Sequence, residues 1–354
     1  MRRSAHQRVV ERRLMCNNDS SSTLVLAGAS GAEPIEQRGG SRLNPRRSTQ
    51  GEIGFVGLGH MGTAMAVNLA AAGHRVIAYV RRPDKINRLA ALGLNPTTDI
   101  SHLFDCEIVI SMLPDDAAVR DVVFGRADLG LDGLAFGLMP GAIHLSMSTI
   151  SSSAASDLAS EHARYGQGYV AAPVFGNPDA AKARQLFIIA AGAPADVERC
   201  QPLFGSLGQR TFVIDTDPAH ANLVKLLGNV MTATTLEMLG ETVAVARKRG
   251  LDPKTFVDIL TSTMFGGRVH QIYGDKIVRQ AYTPGFPIPL ALKDVRLALA
   301  EAENAGAPMP SVNVVRDRLI TGIARAYADL DWTALGLVAA EEAGLNVATL
   351  VALN

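Results

Sequence analysis

Four short segments carry the residues whose types and spacing could do chemistry. Asn222, Lys225 and Asn229 stand three and four positions apart, the spacing that puts side chains on one helix face. Their neighbours Leu223, Val224, Leu226, Leu227, Val230 and Met231 are apolar. A lysine in such company, beside a bound reactant, can have its pKa drawn from about 10.4 towards 7–8, the range for proton transfer at neutral pH. The pattern also suits a lysine that lays its stem along apolar surface, flanked by a structural asparagine pair.

The second segment is Gly57-Leu58-Gly59-His60-Met61-Gly62. It follows an apolar run, Ile53 to Gly57, and opens a helical pattern, the context in which GxGxxG binds a dinucleotide rather than merely turning the chain. The first glycine allows the tight turn, the second lets backbone approach a pyrophosphate, and the third lets helix and strand pack closely. The helix N-terminus adds free N–H groups and the positive end of the helix dipole.

The third segment, Tyr79-Val80-Arg81-Arg82-Pro83, ends the next strand pattern. An acid is common there in NAD binders, to hold the ribose 2′-hydroxyl. Arg81 and Arg82 suit a 2′-phosphate instead, through charge-assisted bonds. In a chain with 27 Arg and 7 Lys they also fit two solvated surface residues. The fourth segment, Leu113-Pro114-Asp115-Asp116, closes the strand-like run EIVISML. Strand C-termini are where open α/β sheets place ligands, and Pro with Asp also starts a helix. Lys293-Asp294 reads by itself as a surface ion pair of little worth. The eight His are scattered, with no pair at metal-ligand spacing, so no metal is expected, and there is no GxSxG nucleophile elbow.

The elements that must position these residues follow from periodicity. Strand-like runs cover 53–57, 75–80, 107–113, 142–148, 169–174, 186–191 and 211–214, with helical patterns such as 61–72 between them. That alternation predicts a mostly parallel sheet covered on both faces. From about residue 217 the β signal fades. One long helix is expected over 219–249, then Asp252-Pro253 caps another, and further helices are expected over 267–280, 289–305, 310–329 and 333–343. The expected organisation is therefore an α/β dinucleotide-binding domain over 51–216 and an all-helical substrate and dimerisation domain over 217–354, joined by the long helix.

Residues 1–50 differ. They hold nine Arg, no Lys and four acids, with Ser runs, and read as a disordered tail. Such a composition fits either an extension with no folded role or an organelle-targeting segment. The whole chain balances 34 basic against 34 acidic residues, which gives no global argument for nucleic acid or membrane partners. Three scattered cysteines exclude a disulfide framework, and no apolar run reaches the length of a membrane span.

Taken in order, these motifs resemble the β-hydroxyacid dehydrogenase family, which includes 3-hydroxyisobutyrate dehydrogenase and the glyoxylate/succinic semialdehyde reductases. The resemblance covers about residues 52–345. It rests on IGFVGLGHMGTAMAVNLAAAGHRVIAYVRR, then MLPDD, LSMSTIS, AAPVFGN and VKLLGN, and on GFPIPLALKDVRLALAEAENAGAPMP and ADLDW, which are similar to the reductase branch. It implies a Rossmann-like first domain and a 6-phosphogluconate dehydrogenase-like helical second domain that packs in a homodimer or homotetramer. It implies Lys225 as acid–base, with Asn229 placing it or the substrate. Leu113, Pro114, Thr149 and Lys293 would line the cofactor cleft. Ser148, Phe175, Gly176, Asn177 and Asn222 would meet the substrate. One departure concerns that last group. The family commonly has Ser-Gly-Gly where this chain has Phe175-Gly176-Asn177, so a hydroxyl that meets a substrate carboxylate is replaced by a ring.

The resulting expectation is a cytoplasmic oxidoreductase, preferring NADP with NAD possible, that interconverts a small β-hydroxyacid or related hydroxyacid with its semialdehyde or keto form. Organelle targeting by the Arg-rich tail is the alternative location. An imine reductase-like enzyme, or a reductase of bulky apolar carbonyls, is the alternative that Phe175 supports. A non-catalytic dinucleotide-binding or interaction protein is the alternative from another class.

Overall fold

The computed structural model describes residues 51–126 and 131–346. The expected tail over 1–50 and the last residues of the expected second domain, 347–354, lie outside the described residues.

The α/β part runs β1 Glu52–Val56, α1 His60–Ala71, β2 Arg75–Tyr79, α2 Ile86–Ala90, β3 Asn95–Thr97, β4 Ile108–Ser111, α3 Asp116–Phe124, β5 Gly125–Arg126, β6 Leu131–Asp132, α4 Leu134–Gly137, β7 Ile143–Ser146, α5 Ser152–Arg164, β8 Gly168–Ala171, β9 Val174–Phe175, α6 Pro178–Lys182, β10 Leu186–Gly192, α7 Pro194–Leu207 and β11 Gly208–Asp215. The helical part follows as α8 Pro218–Lys248, α9 Pro253–Thr261, α10 Arg268–Arg279, α11 Ile288–Asn304, α12 Pro310–Ala324 and α13 Leu335–Glu342.

The main sheet has the order β11-β10-β8-β7-β4-β1-β2-β3, with β9 paired to β10. Every residue of β4 and β7 is buried, as expected of parallel strands covered on both faces. Most neighbours are parallel, and β10 runs antiparallel to β8 and β9. The strand expected over 169–174 therefore divides in two. Pro173 has no N–H to continue the ladder, and the chain re-forms as β9, where Phe175 pairs with Phe187. The strands expected to reach Leu113 and Ser148 stop at Ser111 and Ser146. Their continuations form a rim at the C-terminal edge of the sheet, tied together where Met147 N donates to Ser111 O (2.9 Å) and Leu113 N to Ser148 Oγ (2.8 Å).

Helix α8 matches its expected span within one residue at each end. Asp217 caps it through Ala219 N, and Pro218 occupies its first turn. Asp252 likewise caps α9 through Thr255 N. At Gly240, α8 touches α13 so closely that a Cβ would lie 2.9 Å from Gly336 Cα. Arg318 of α12 clamps the C-terminal half of α8 to α13 by pairing with Glu237 (2.8 Å), Glu241 (3.5 Å) and Glu342. Helix α12 ends at Ala324, short of the expected 329, because Ala326 turns to φ 63° and Tyr327 N closes on Gly322 O (2.9 Å).

Two of the histidines scattered along the sequence meet in space. His144 on β7 and His162 on α5 meet in the core, Nδ1 to Nε2 at 2.9 Å. The chain of bonds continues from His144 Nε2 to Ser111 Oγ (2.9 Å) and from His162 Nδ1 to Gln167 Oε1 (2.7 Å). Gln167 spends its NH₂ on the carbonyls of Ala135 and Leu138, so its Oε1 must accept. That assigns the proton of both imidazoles to Nδ1 and makes the Ser111 hydroxyl the donor. Burial holds both rings neutral. It keeps His144 well below the usual histidine range, with His162 adding to the effect, and lowers His162 to about 4. Below about pH 6.5 the unfolded chain binds protons that the folded chain refuses, so this stability is whole above that pH and is lost as pH falls towards 4. The thermal midpoint should accordingly drop between pH 7 and 5, at up to about 1.4 kcal/mol per pH unit for each ring. Calorimetry of His162→Gln should show a shallower drop over the same window.

Candidate active site

The GxGxxG turn builds one end of a cleft of about 780 Å³ between the sheet rim and the helical part. Gly57 adopts φ 93°, and a Cβ there would fall 2.2 Å from Met112 O. A Cβ on Gly62 would fall 2.0 Å from Gly57 O. Both positions therefore exclude a side chain, one by conformation and one by close approach. Gly59 differs, since nothing lies within 4 Å of its missing Cβ, and no side chain caps α1. Open space over uncapped helix N–H groups is a cradle for a phosphate, so the residues present fit a dinucleotide.

Leu58, His60 and Met61 line the same cleft. At the end of β2 so do Arg81, Arg82 and Lys85. Arg82 pairs loosely with Asp84 (3.7 Å), whereas Arg81 has no ion pair among the described residues. The opposite wall carries Leu113, Pro114, Thr149 and Lys293, with the Gly285–Pro287 loop of the helical part. Asp331, only 1% exposed, pins that loop by accepting from Gly285 N and Phe286 N, each at 3.0 Å. Trp332 then packs edge-on against the Phe286 ring. These two residues are the end of the ADLDW motif.

Asn222, Lys225 and Asn229 are all buried on one face of α8, as their spacing predicted. Lys225 Nζ donates to Asn229 Oδ1 (2.9 Å), and Asn229 Nδ2 donates to Asp294 Oδ2 (2.5 Å). Asp294 Oδ1 meets Lys293 Nζ at 2.9 Å, and Lys293 donates on to Thr149 O (2.5 Å). Hydrogen bonds and one ion pair thus link Lys225 to the cleft wall. Burial lowers Lys225 to about 8, the Asp294 carboxylate opposing that shift and Lys293 adding to it.

The reading of Lys293-Asp294 as a surface pair is therefore corrected. Asp294 is 1% exposed, because α11 turns it inward beside Ala291, Leu292, Val295 and Ala298. An acid next to the apolar stripe of an amphipathic helix was the available signal. The other expected site residues fall into two groups. Asn222 Oδ1 accepts weakly from Ile150 N (3.4 Å), and its Nδ2 is buried with no partner among the described residues. Phe175 lies over Lys225, ring centre to Nζ 4.5 Å. Ser148 and Asn177, in contrast, are engaged by the fold itself. Ser148 bridges the rim, with its hydroxyl bonded to Leu113 N and Ser111 O. Asn177 caps α6 through Ala180 N, and Gly176 precedes it at φ 142°.

A parallel sheet with a phosphate cradle, and a buried lysine wired to the same cleft, define a dinucleotide-dependent oxidoreductase. Residues 52–215 match the family described as NAD binding domain of 6-phosphogluconate dehydrogenase, and residues 219–339 match that described as NAD-binding of NADP-dependent 3-hydroxyisobutyrate dehydrogenase. The chain is 39% identical to the oxidoreductase YfjR of Bacillus subtilis, over 80% of this chain and 98% of the relative. It is 31% identical to glyoxylate/succinic semialdehyde reductase 1 of Arabidopsis thaliana, over 80% and 96%. The crystal structure of 3-hydroxyisobutyrate dehydrogenase from Salmonella typhimurium shares the fold, with a TM-score of 0.73 at 22% identity over 82% of this chain and all of that one. The chain belongs to the β-hydroxyacid dehydrogenase family of NAD(P)-dependent oxidoreductases.

The line of bonds to Asp294 yields a test of its own. Amine-directed labelling of Lys225, followed by peptide mass analysis across pH, should reach half its limiting rate near pH 8. In Asp294→Asn, which keeps an oxygen for Asn229 and loses the charge, the midpoint should move to lower pH.

Proposed function

We propose that this chain is an NADP-preferring reductase that interconverts a small β-hydroxyacid, or a related hydroxyacid, with its semialdehyde or keto form. The observation that carries the reading is the buried Lys225 ammonium, bonded through Asn229, Asp294 and Lys293 to the wall of the dinucleotide cleft. Bound in that cleft, the nicotinamide supplies or accepts the hydride. Lys225 gives its proton to the oxygen of the carbonyl being reduced and takes it back in oxidation. With a pKa of about 8 it is mostly protonated at neutral pH, the form reduction needs. Asn229 holds the ammonium by accepting its hydrogen bond, and Asp294 favours its charged state. Asn222 Nδ2 is the donor left over for a second substrate oxygen.

The glycine turn from Gly57 to Gly62 takes the pyrophosphate, and Arg81 with Arg82 takes the 2′-phosphate. Leu113, Pro114 and Thr149 flank the nicotinamide end. The outer face of α8 supports a homodimer or homotetramer. It exposes Val224, Met231, Met238 and Val245 at seven-residue intervals, Met231 to 72%, a stripe suited to a second copy. The buried free cysteines Cys106 and Cys200 support a reducing location such as the cytoplasm.

Two variants test this reading. Lys225→Ala should lose about 10²–10⁴-fold in turnover while still binding NADPH, read by cofactor fluorescence, because the glycine turn is untouched. Arg81→Ala should raise the KM for NADPH by roughly tenfold to a hundredfold, the worth of one charge-assisted bond, and leave that for NADH nearly unchanged. A wild-type enzyme that prefers NADH overturns the assignment of Arg81.

A further inference from the structure

Phe175 stands where the family commonly has a serine, and the structure shows that its ring has a built place. The ring lies 4.5 Å from Lys225 Nζ. It also meets Gly228 of α8, where a Cβ would come within 2.4 Å of Phe175 Cζ. Gly228 lies inside a helix, where glycine is unfavourable against alanine, so the missing side chain is what admits the ring. The short strand β9 sets the ring's height by pairing Phe175 with Phe187. Asn177 is held as the cap of α6, accepting from Ala180 N through its Oδ1, and a Cβ on Gly176 would run into Leu186.

From this geometry we infer that Phe175, admitted by Gly228, is the specificity-determining and positioning residue of the site. Its ring gives the Lys225 ammonium a cation–π partner and makes an apolar wall beside the reacting carbon. The inference rests on Lys225 as acid–base and deepens that reading by naming the substrate class. A carboxylate attached directly to the carbonyl would lie against the ring where a hydroxyl would otherwise meet it, which is costly. The preferred substrates are aldehydes whose carbonyl carries a short alkyl arm, with any carboxylate at the far end of that arm. Semialdehydes fit and glyoxylate does not.

The charged and polar groups that face Lys225 are Asn229 on its own helix and Asp294 and Lys293 on α11. The ring is the remaining partner, and it favours the protonated form. Replacing it with an apolar group of similar bulk keeps the site dry and removes that preference. The pKa of Lys225 then falls, and reduction is lost at a lower pH.

The experiment compares butanal, succinic semialdehyde and glyoxylate with NADPH in the full-length enzyme, alongside Lys225→Ala as control. Wild type should show a kcat/KM for butanal and for succinic semialdehyde at least a hundredfold above that for glyoxylate. Phe175→Ser should shrink that ratio at least tenfold. A wild type that prefers glyoxylate, or a ratio that changes less than threefold in Phe175→Ser, overturns the wall. In Phe175→Leu the alkaline limb of kcat should move down by about half a pH unit, as loss of a cation–π contact requires. An unmoved limb overturns the positioning role. Gly228→Ala should weaken butanal turnover at least tenfold in wild type and change it less than threefold in the Phe175→Ser background. Equal effects in both backgrounds overturn the pairing of the two residues. Lys225→Ala retaining full activity overturns the proposed function instead, and is read separately from the substrate ratios.

Discussion

A carboxylate buried among helices is the constraint on which the rest of this structure depends. Asp294 sits almost wholly out of water, where an unpaired charge costs several kcal/mol. Its two oxygens are matched by Lys293 and Asn229. Those partners belong to α11 and α8, and Lys293 also reaches Thr149 on the sheet rim. Three elements from both halves of the chain therefore meet at one charge. The ammonium of Lys225 stands one bond further along, so that lysine and the cleft wall are positioned by the same requirement.

The α/β part contributes a shaped edge to this arrangement. Strands β4 and β7 are buried throughout and stop together, which leaves Leu113 and Thr149 at one rim. Ser148 joins the two strand ends beneath it. The glycine turn after β1 supplies the phosphate cradle at the same edge of the sheet. The helical part closes the cleft from the far side with a loop fixed by Asp331. Each wall is held by a buried polar residue whose bonds are nearly all satisfied, the condition under which such networks fix a single geometry.

Much of this was legible in the sequence where the determining contacts are local. The GxGxxG turn, the cap at Asp252, and the shared face of Asn222, Lys225 and Asn229 all depend on neighbours within about one helical turn. Order of motifs carried the resemblance and, with it, the cleft. Long-range partners were not legible. Asp294 meets Asn229 across 65 positions, and nothing next to it announces burial except its place beside an apolar stripe. His144 and His162 are 18 apart on different elements and look solitary in the chain. The place of Phe175 depends on Gly228, which by itself looks like any helix glycine. The break at Pro173 could have been read from its missing N–H, but the reversal of direction after it follows from pairing with β10, which the local pattern does not encode.

Helix α8 also acts as a lever. Its 31 residues extend about 46 Å at 1.5 Å each. Lys225 lies in the second turn, about 35 Å from the far end. One degree of tilt about that end would carry its backbone about 0.6 Å sideways, and misplacement by about 1 Å can cost a hundredfold in rate. The Arg318 clamp and the Gly240–Gly336 contact grip the rod in its C-terminal half. They shorten the free arm and set the angular tolerance of the site. Any force on the exposed methionines of that rod is thus transmitted to the Lys225 ammonium as a change of aim, with no moving part in between.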